Sequence, residues 1–158
     1  PTTTVPPTTT VPPTTTVPPT TTVPSGPWVA VLNTAGCTFS SSWNCGNLVN
    51  LEGADLTGAV LVGSNFSLGS WLRFVNLSGA FLTGAVFNNP DLAFSNLTNA
   101  DLTGADLSGG DLRSVDFSGA NLTGTDFTGA VLAASNFSGA DLTGANFTGA
   151  DTTSVIWP

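Results

Sequence analysis

The sequence predicts an all-β protein, a four-sided parallel β-helix of about five coils behind a small disulfide-bonded cap. Three observations predict it. An apolar residue recurs at every fifth position from Leu51 almost to the end of the chain. The residue two positions earlier is small. Departures from glycine at the end of the five-residue unit recur at every fourth unit. Because an amphipathic helix repeats every 3.6 residues and a strand every 2, this period fits neither element alone.

Residues 1–26 form a low-complexity stalk. The hexapeptide PTTTVP occurs four times without an error over residues 1–24. Because proline fixes φ and removes a hydrogen-bond donor, we expect an extended polyproline II segment that reaches about 70–75 Å. The composition resembles the O-glycosylated stalks of secreted bacterial proteins. A disordered spacer without a further role is the alternative.

Residues 27–48 predict a small N-terminal cap. The stretch WVAVL, residues 28–32, is rich in β-branched residues and predicts a short strand. The two cysteines of the chain, Cys37 and Cys45, follow in a serine-rich loop that a disulfide would order. A disulfide beside such a stalk indicates an oxidising compartment, whereas two buried free thiols are the alternative.

The repeat occupies residues 49–158. Leucine or phenylalanine centres follow one another every five residues, with one slip around Leu68. One residue before each centre is usually Asp or Asn, which we expect to face water. The small residue and the centre are expected to face inward, where the backbone is crowded.

This pattern resembles the pentapeptide-repeat family, whose consensus is A-(D/N)-L-x-x. The unit ADLTG at residues 54–58, 100–104 and 140–144 matches the consensus fully. The resemblance implies a right-handed, four-sided β-solenoid with one pentapeptide on each side.

The corners of the tube carry a second signal. Most units end in glycine, which suits a corner with positive φ, and asparagine replaces it twice. The remaining exceptions recur at every fourth unit, which indicates four units per turn. We therefore predict that one corner has a different turn type from the other three, at Phe74, Phe94, Ser114, Ala134 and Ser154.

The composition argues against an enzyme. The chain has no His, Lys or Tyr, and general acid–base chemistry would fall almost entirely to aspartates on different sides of the tube. We predict no cofactor and no metal site, since the cysteines and aspartates lack the spacing of known sites. The net charge of −8 with two Arg argues against direct nucleic-acid binding. No apolar run is long enough to insert into a membrane.

Two classes of function remain. The first is an extracellular or cell-surface structural or adhesive element that assembles head to tail, with a cell-surface component as the alternative partner. In this hypothesis the apolar last coil docks against the aromatic cap of the next molecule. A monomeric surface rod is its alternative. The residues expected at the contact are Val155, Ile156 and Trp157 on one side and Trp28, Phe39 and Trp43 on the other.

The second class follows from the family resemblance. The best-known family members resemble a short acidic duplex and occupy the DNA site of topoisomerases. This chain is acidic and rod-shaped, so a DNA-mimic inhibitor is the other alternative. The disulfide, the stalk and apolar residues at the outward positions, among them Val60 and Trp71, count against it.

Overall fold

A computed structural model describes residues 26–35, 37–39, 42–45, 50–66, 71–87 and 89–158. All of the predicted stalk except Gly26 lies outside these residues. The named elements are helix α1 (Pro27–Thr34) and the two-residue strands β1 (Thr38–Phe39) and β2 (Trp43–Asn44), which pair antiparallel. The rest of the described chain is a β-solenoid.

Parallel backbone pairing between successive coils builds the solenoid. From Trp71 to Asn136 each outward residue is bridged to the residue 20 positions later, as in Asp101↔Asn121. In the first coil the offset is 21, as in Asn50↔Trp71, because one extra residue enters between residues 66 and 71. The slip predicted around Leu68 agrees with this change, although Leu68 itself is outside the described residues. Bridges every five residues with a 20-residue offset confirm four sides per turn, whereas handedness and coil number stay predictions.

Besides the forward bonds of the corner amides, two types of hydrogen bond join each coil to its neighbours. The amide of a centre donates forward, as from Leu102 to the carbonyl of Asn121 at 2.8 Å. The amide of an outward residue donates backward, as from Asp101 to the carbonyl of Ala80 at 2.9 Å. Because both types recur on each side, the backbone is satisfied without long strands.

The centres fill the tube. Phe117 stacks on Phe137 with ring centroids 4.9 Å apart, and Phe127 stacks on Phe147 at 5.0 Å. Leucines form the corresponding columns elsewhere and are almost all fully buried. Each buried Leu or Phe contributes about 1.5–3 kcal/mol, so these columns stabilise a chain that is otherwise rich in Gly and Thr.

The strand predicted for WVAVL is wrong, because these residues lie in α1. Proline at the first position of α1 suits a helix start, since it has no amide to satisfy there. Trp28 and Leu32, one helical turn apart, are both buried in the core. The two residues therefore pack against the interior of the protein. A helix places both of them on one face, and this burial outweighs the strand propensity of the segment.

The prediction of a distinct corner is also wrong. Phe74, Ser114 and Ala134 have φ of 58°, 55° and 61°, close to the 65° of Gly104 and 66° of Gly124. Their amides also donate to the next coil as the glycines do, from Ser114 to Ala133 and from Gly124 to Thr143. All four corners thus use one left-handed conformation. The recurrence of non-glycine residues every 20 positions shows only that these residues lie on the same corner in successive coils.

Exchanging residues at these corners should move stability in opposite directions. A non-glycine residue in the left-handed region costs about 1–2 kcal/mol, partly offset by the greater unfolded-state entropy of glycine. We expect Ala134→Gly to raise the unfolding free energy slightly and Gly104→Ala to lower it by about 1 kcal/mol. An added Cβ at Gly104 meets no atom within 4 Å, so backbone strain alone is measured by denaturant unfolding. If Ala134→Gly and Gly104→Ala changed the unfolding free energy in the same direction by the same amount, the two corners would not share one turn conformation.

Outward Asp and Asn residues do more than face water. The carboxylate of Asp55 accepts hydrogen bonds from the Thr57 hydroxyl at 2.6 Å and the Thr57 amide at 3.1 Å. Asp151 and Thr153 repeat this arrangement in the last coil. This local bond to the residue two positions later is the Asx turn. The bonds from Thr57 and Thr153 lower the pKa of Asp55 and Asp151, respectively, below the ordinary 3.8.

Stability should therefore depend on pH only under acidic conditions. A carboxyl group whose pKa is lowered by folding stabilises the folded state above its unfolded pKa, and this contribution is lost as pH falls through the lower folded value. We expect a constant melting temperature near neutrality, where no His titrates, and a decrease below about pH 4. Thermal melts over this range test it, and a transition near pH 6 would contradict it.

Candidate interaction surface

One side of the tube differs from the other three. It is the side whose centres include Leu72, Leu92 and Leu112, and we call it the aromatic side. It carries both arginines of the chain and three of its most exposed large hydrophobic residues. The outward residues of this side in the first four coils include Asn50, Glu52, Trp71, Arg73, Phe74, Asp91, Phe94, Asp111 and Arg113.

Exposed aromatic rings dominate this side. Trp71, Phe74 and Phe94 are 60%, 53% and 49% exposed. Phe74 and Phe94 occupy the same corner in successive coils, and their rings stack with centroids 5.3 Å apart. Exposed apolar side chains that lie together in this way mark an interaction surface more often than isolated ones do.

Arg73 lies against both phenylalanines. Its Cζ atom is 5.6 Å from the ring centroid of Phe74 and 5.7 Å from that of Phe94, which are cation–π distances. Its Nε atom is buried without a hydrogen-bond partner among the described residues, and the nearest carboxylate oxygen, on Asp91, is 3.8 Å away. The rings thus position a guanidinium group whose Nε is not satisfied by this part of the protein.

The second arginine is held differently. Arg113 donates from Nε to Oδ1 of Asp111 at 2.8 Å and also from a terminal nitrogen to Oδ2. This two-point contact lowers the pKa of Asp111 and raises that of Arg113. Arg113 is thus hydrogen-bonded to its carboxylate partner, whereas Arg73 has only the longer ion pair to Asp91 and no hydrogen bond at Nε among the described residues.

The predicted cap residues lie together at the start of the tube. Cys37 and Cys45 form a disulfide with Cα atoms 4.5 Å apart, which confirms the predicted pair. Trp28 and Trp43 meet edge to face at 6.4 Å and are only 6% and 2% exposed. The backbone of Phe39 pairs with Trp43 in the β1–β2 hairpin, and its side chain lies outside the described part of the chain. The two tryptophans are therefore buried by their own chain and are not presented to a neighbour.

The predicted residues of the last coil lie where the tube interior meets solvent. Trp157 is partly buried and stacks on Phe137 at 5.6 Å, while Phe147 meets its edge at 5.4 Å. Ile156 is 55% exposed, and Val155 is partly buried. Whether these three residues contact another molecule stays a prediction.

No arrangement of catalytic groups stands out among the described residues. A shallow groove between α1 and the first coil, lined in part by Ala30, Val31 and Asn50, contains one ionisable side chain, that of Glu52. Within the described ranges, no cluster of three or more His, Cys, Asp or Glu side chains could hold a metal ion. The same ranges contain no helix that is long and apolar enough to cross a bilayer.

Sequence reasoning identifies the residues of the aromatic side separately and misses that they lie together. In the sequence Trp71 interrupts the acidic outward positions, and Phe74 and Phe94 are unusual corners. Writing the chain with four pentapeptides to a row aligns Arg73 with Arg113 and both phenylalanines with each other. In this arrangement the residues that depart from the repeat form one surface.

Comparison with known proteins supports the architecture. The family model described as Pentapeptide repeats matches eight copies over residues 48–68, 72–109 and 111–149, more than half of the chain. No curated protein matches the chain significantly.

Solved structures of repeat proteins are similar to this chain. HetL, a pentapeptide repeat protein involved in heterocyst differentiation regulation in the cyanobacterium Nostoc, is 29% identical over 68% of this chain and 52% of HetL, with a TM-score of 0.35. This chain thus spans about half the length of HetL. Rfr23 from the cyanobacterium Cyanothece is 24% identical over 73% of this chain and 91% of its own, with a TM-score of 0.47.

A pentapeptide repeat protein from the thylakoid lumen of Arabidopsis thaliana is 43% identical. The alignment covers 67% of this chain and 66% of the plant protein, with a TM-score of 0.36. The family match over most of the solenoid and the 20-residue backbone pairing agree, and this chain belongs to the pentapeptide-repeat family.

Proposed function

We propose that this protein is a non-enzymatic, extracellular structural or adhesive rod that acts through its surface and self-assembles end to end. The observation that carries the proposal is the aromatic side, where Trp71, Phe74 and Phe94 expose about half or more of their surface. A rod with a purely spacing role has no use for exposed rings, which favour aggregation in water. Contact with another surface gives them a role.

Two features support an extracellular location. The Cys37–Cys45 disulfide closes the cap, and structural disulfides persist in oxidising compartments. The Pro/Thr-rich sequence of residues 1–24 is typical of the extended connections that hold a domain away from an anchor. Aspartates that serve in turns, such as Asp55 and Asp151, favour a structural role over a catalytic one.

The last coil supports assembly along the tube axis. No hydrogen bond is found for the amides of Leu142, Phe147 and Thr152 within residues 89–158, although equivalent amides in earlier coils donate to the next coil. The partly buried Trp157 lies among these groups. A strand of a neighbouring molecule stacked on the last coil would satisfy these amides.

Burial of Trp28 and Trp43 changes the geometry of that contact. A neighbour stacked on the last coil would meet the outer surface of α1, where Ala30 and Asn33 are exposed, in place of the tryptophan rings. Because this contact joins two different surfaces, it repeats without closing and generates a filament.

The DNA-mimic alternative predicts a continuous acidic surface. The aromatic side interrupts such a surface with two arginines and three exposed rings. We therefore favour the structural or adhesive role over a DNA-mimic inhibitor.

Association can be tested with one charge at the last coil. We expect Trp157→Asp to abolish self-association in sedimentation experiments, because a carboxylate in the contact is desolvated without a partner. Thr123→Asp adds the same charge in the middle of the tube and should associate like the unchanged protein, more strongly as salt screens the net charge of −8. Far-UV circular dichroism establishes that both variants are folded. A protein that stays monomeric at high concentration and in salt, or a Trp157→Asp variant that still associates, would rule out stacking.

Location can be tested by the redox state of the cysteines. Native protein alkylated under non-reducing conditions should show Cys37 and Cys45 both protected in mass spectrometry, because an extracellular compartment keeps the bond oxidised. Samples reduced before alkylation provide the control. Two free thiols in the native protein would remove the main support for an extracellular location.

A further inference from the structure

We propose that the aromatic side is a polyproline-binding site and that its ligand is the stalk of the same chain. This inference goes beyond the rod-like function, because it assigns the exposed rings a ligand within the chain that competes with contact to another surface, and it does not depend on end-to-end assembly. It rests on the side chains of Trp71, Arg73, Phe74 and Phe94 and on the sequence of residues 1–24.

The corner residues indicate that this surface is not a by-product of the fold. Phe74 and Phe94 have φ of 58° and 63°, the left-handed conformation that glycine adopts at most other corners. Each costs about 1–2 kcal/mol of backbone strain, and the turn itself does not require phenylalanine. The rings are half exposed, so burial in the core does not explain them either. Ser114, Ala134 and Ser154 adopt the same conformation on this corner with small side chains, so a binding role accounts for the two exposed rings and not for the turn itself.

The surface offers both apolar faces and hydrogen-bond donors. The side chain of Trp71 is 60% exposed, and its indole N–H is a hydrogen-bond donor that a ligand on this side can use. The guanidinium group of Arg73 lies near two rings, and its Nε makes no hydrogen bond among the described residues, with Asp91 as an ion-pair partner at 3.8 Å. Aromatic rings beside free donors suit a ligand that combines apolar rings with exposed carbonyl groups.

The stalk is such a ligand. Polyproline II has no internal hydrogen bonds, so its carbonyls are free to accept from Trp71 and Arg73. Proline pairs recur every six residues in the stalk and supply rings that pack on Trp and Phe, the mode by which aromatic-lined surfaces recognise proline-rich peptides.

Charge distinguishes the stalk from other polymers. Residues 1–26 carry no ionisable side chain, so the net charge of −8 on the rest of the protein does not repel them. An acidic polymer would meet Glu52, Asp91 and Asp111 on the aromatic side. The neutral, preorganised stalk is therefore the ligand that this surface favours.

The connection between stalk and tube permits binding within one molecule. The stalk joins at Gly26, immediately before α1, and the groove between α1 and the first coil is lined by Asn50, the ladder neighbour of Trp71. Coils are spaced by about 4.8 Å, whereas the stalk would reach about 70–75 Å in the polyproline II conformation that its sequence predicts. One or two PTTTVP units thus suffice to cross the aromatic side, and the short connection gives the stalk a high effective concentration.

NMR spectroscopy of the full chain tests the proposal. We expect nuclear Overhauser contacts between the indole N–H of Trp71, assigned by its loss in Trp71→Phe, and proline ring protons of the stalk. Replacing Pro6, Pro7, Pro12, Pro13, Pro18 and Pro19 by serine should abolish the contacts and shift the indole resonance, since the rings and the preorganised conformation are both lost. The free peptide PTTTVPPTTTVP should then restore the shift in this variant.

A matched pair of variants separates binding from folding. Phe94→Ala removes one ring of the stack and should weaken the contacts to Trp71, whereas Phe81→Ala changes an outward phenylalanine on another side and should leave them unchanged. Absence of the contacts in the full chain would overturn the proposal. Contacts that fade on dilution would also overturn it, because they identify the stalk of a second copy as the ligand. A Trp71 resonance that responds to a soluble polysaccharide but not to the proline replacements would identify a glycan site in its place.

Discussion

Backbone hydrogen bonding between coils, which pairs residues 20 apart in a parallel ladder, is the constraint on which the rest of the structure depends. Each coil donates forward from its centres and corners and backward from its outward residues, so every coil requires the neighbours on both sides. This pairing can form only if the backbones approach closely at each corner. Ala80, Ala100 and Ala120 lie one above another in successive coils and satisfy that requirement. Larger side chains at these inward positions would push the backbone away from the Leu and Phe residues of the core.

The same constraint explains why each position of the pentapeptide has a different role. The centre and the small residue determine whether a coil can be added, and the corner must accept a positive φ. The outward residue contributes an Asx turn when it is Asp or Asn, but the backbone ladder does not require this, as Val60 and Trp71 show. Outward and corner side chains are therefore free to change without loss of the fold, which is how a surface can develop on one side of an otherwise uniform tube.

The two ends of the described chain meet the constraint differently. At the start, β2 adds to the first coil through Asn44 and Asn65, and α1 buries Trp28 and Leu32, with the disulfide holding the hairpin in place. In the last coil the core is covered only in part by Trp157. Since each coil contacts only its neighbours, the stability of a solenoid depends on how its terminal coils are covered.

The sequence by itself determined the repeat and the four sides, because a five-residue period with a 20-residue superperiod allows one closed arrangement of short parallel strands. It predicted the cysteine pair, which the structure confirmed. It did not determine the cap: WVAVL has strand propensity, yet Trp28 and Leu32 pack on one side of a helix to cover the interior. The tertiary structure also decided the backbone conformation of Phe74 and Phe94 and the residues that their rings contact. All corners share one conformation because the coil-to-coil hydrogen bonds impose it, and only stacking of the coils brings Arg73 close to both rings. The local pattern therefore determines the repeating unit, whereas contacts between coils determine which of the residues that depart from the consensus lie next to one another.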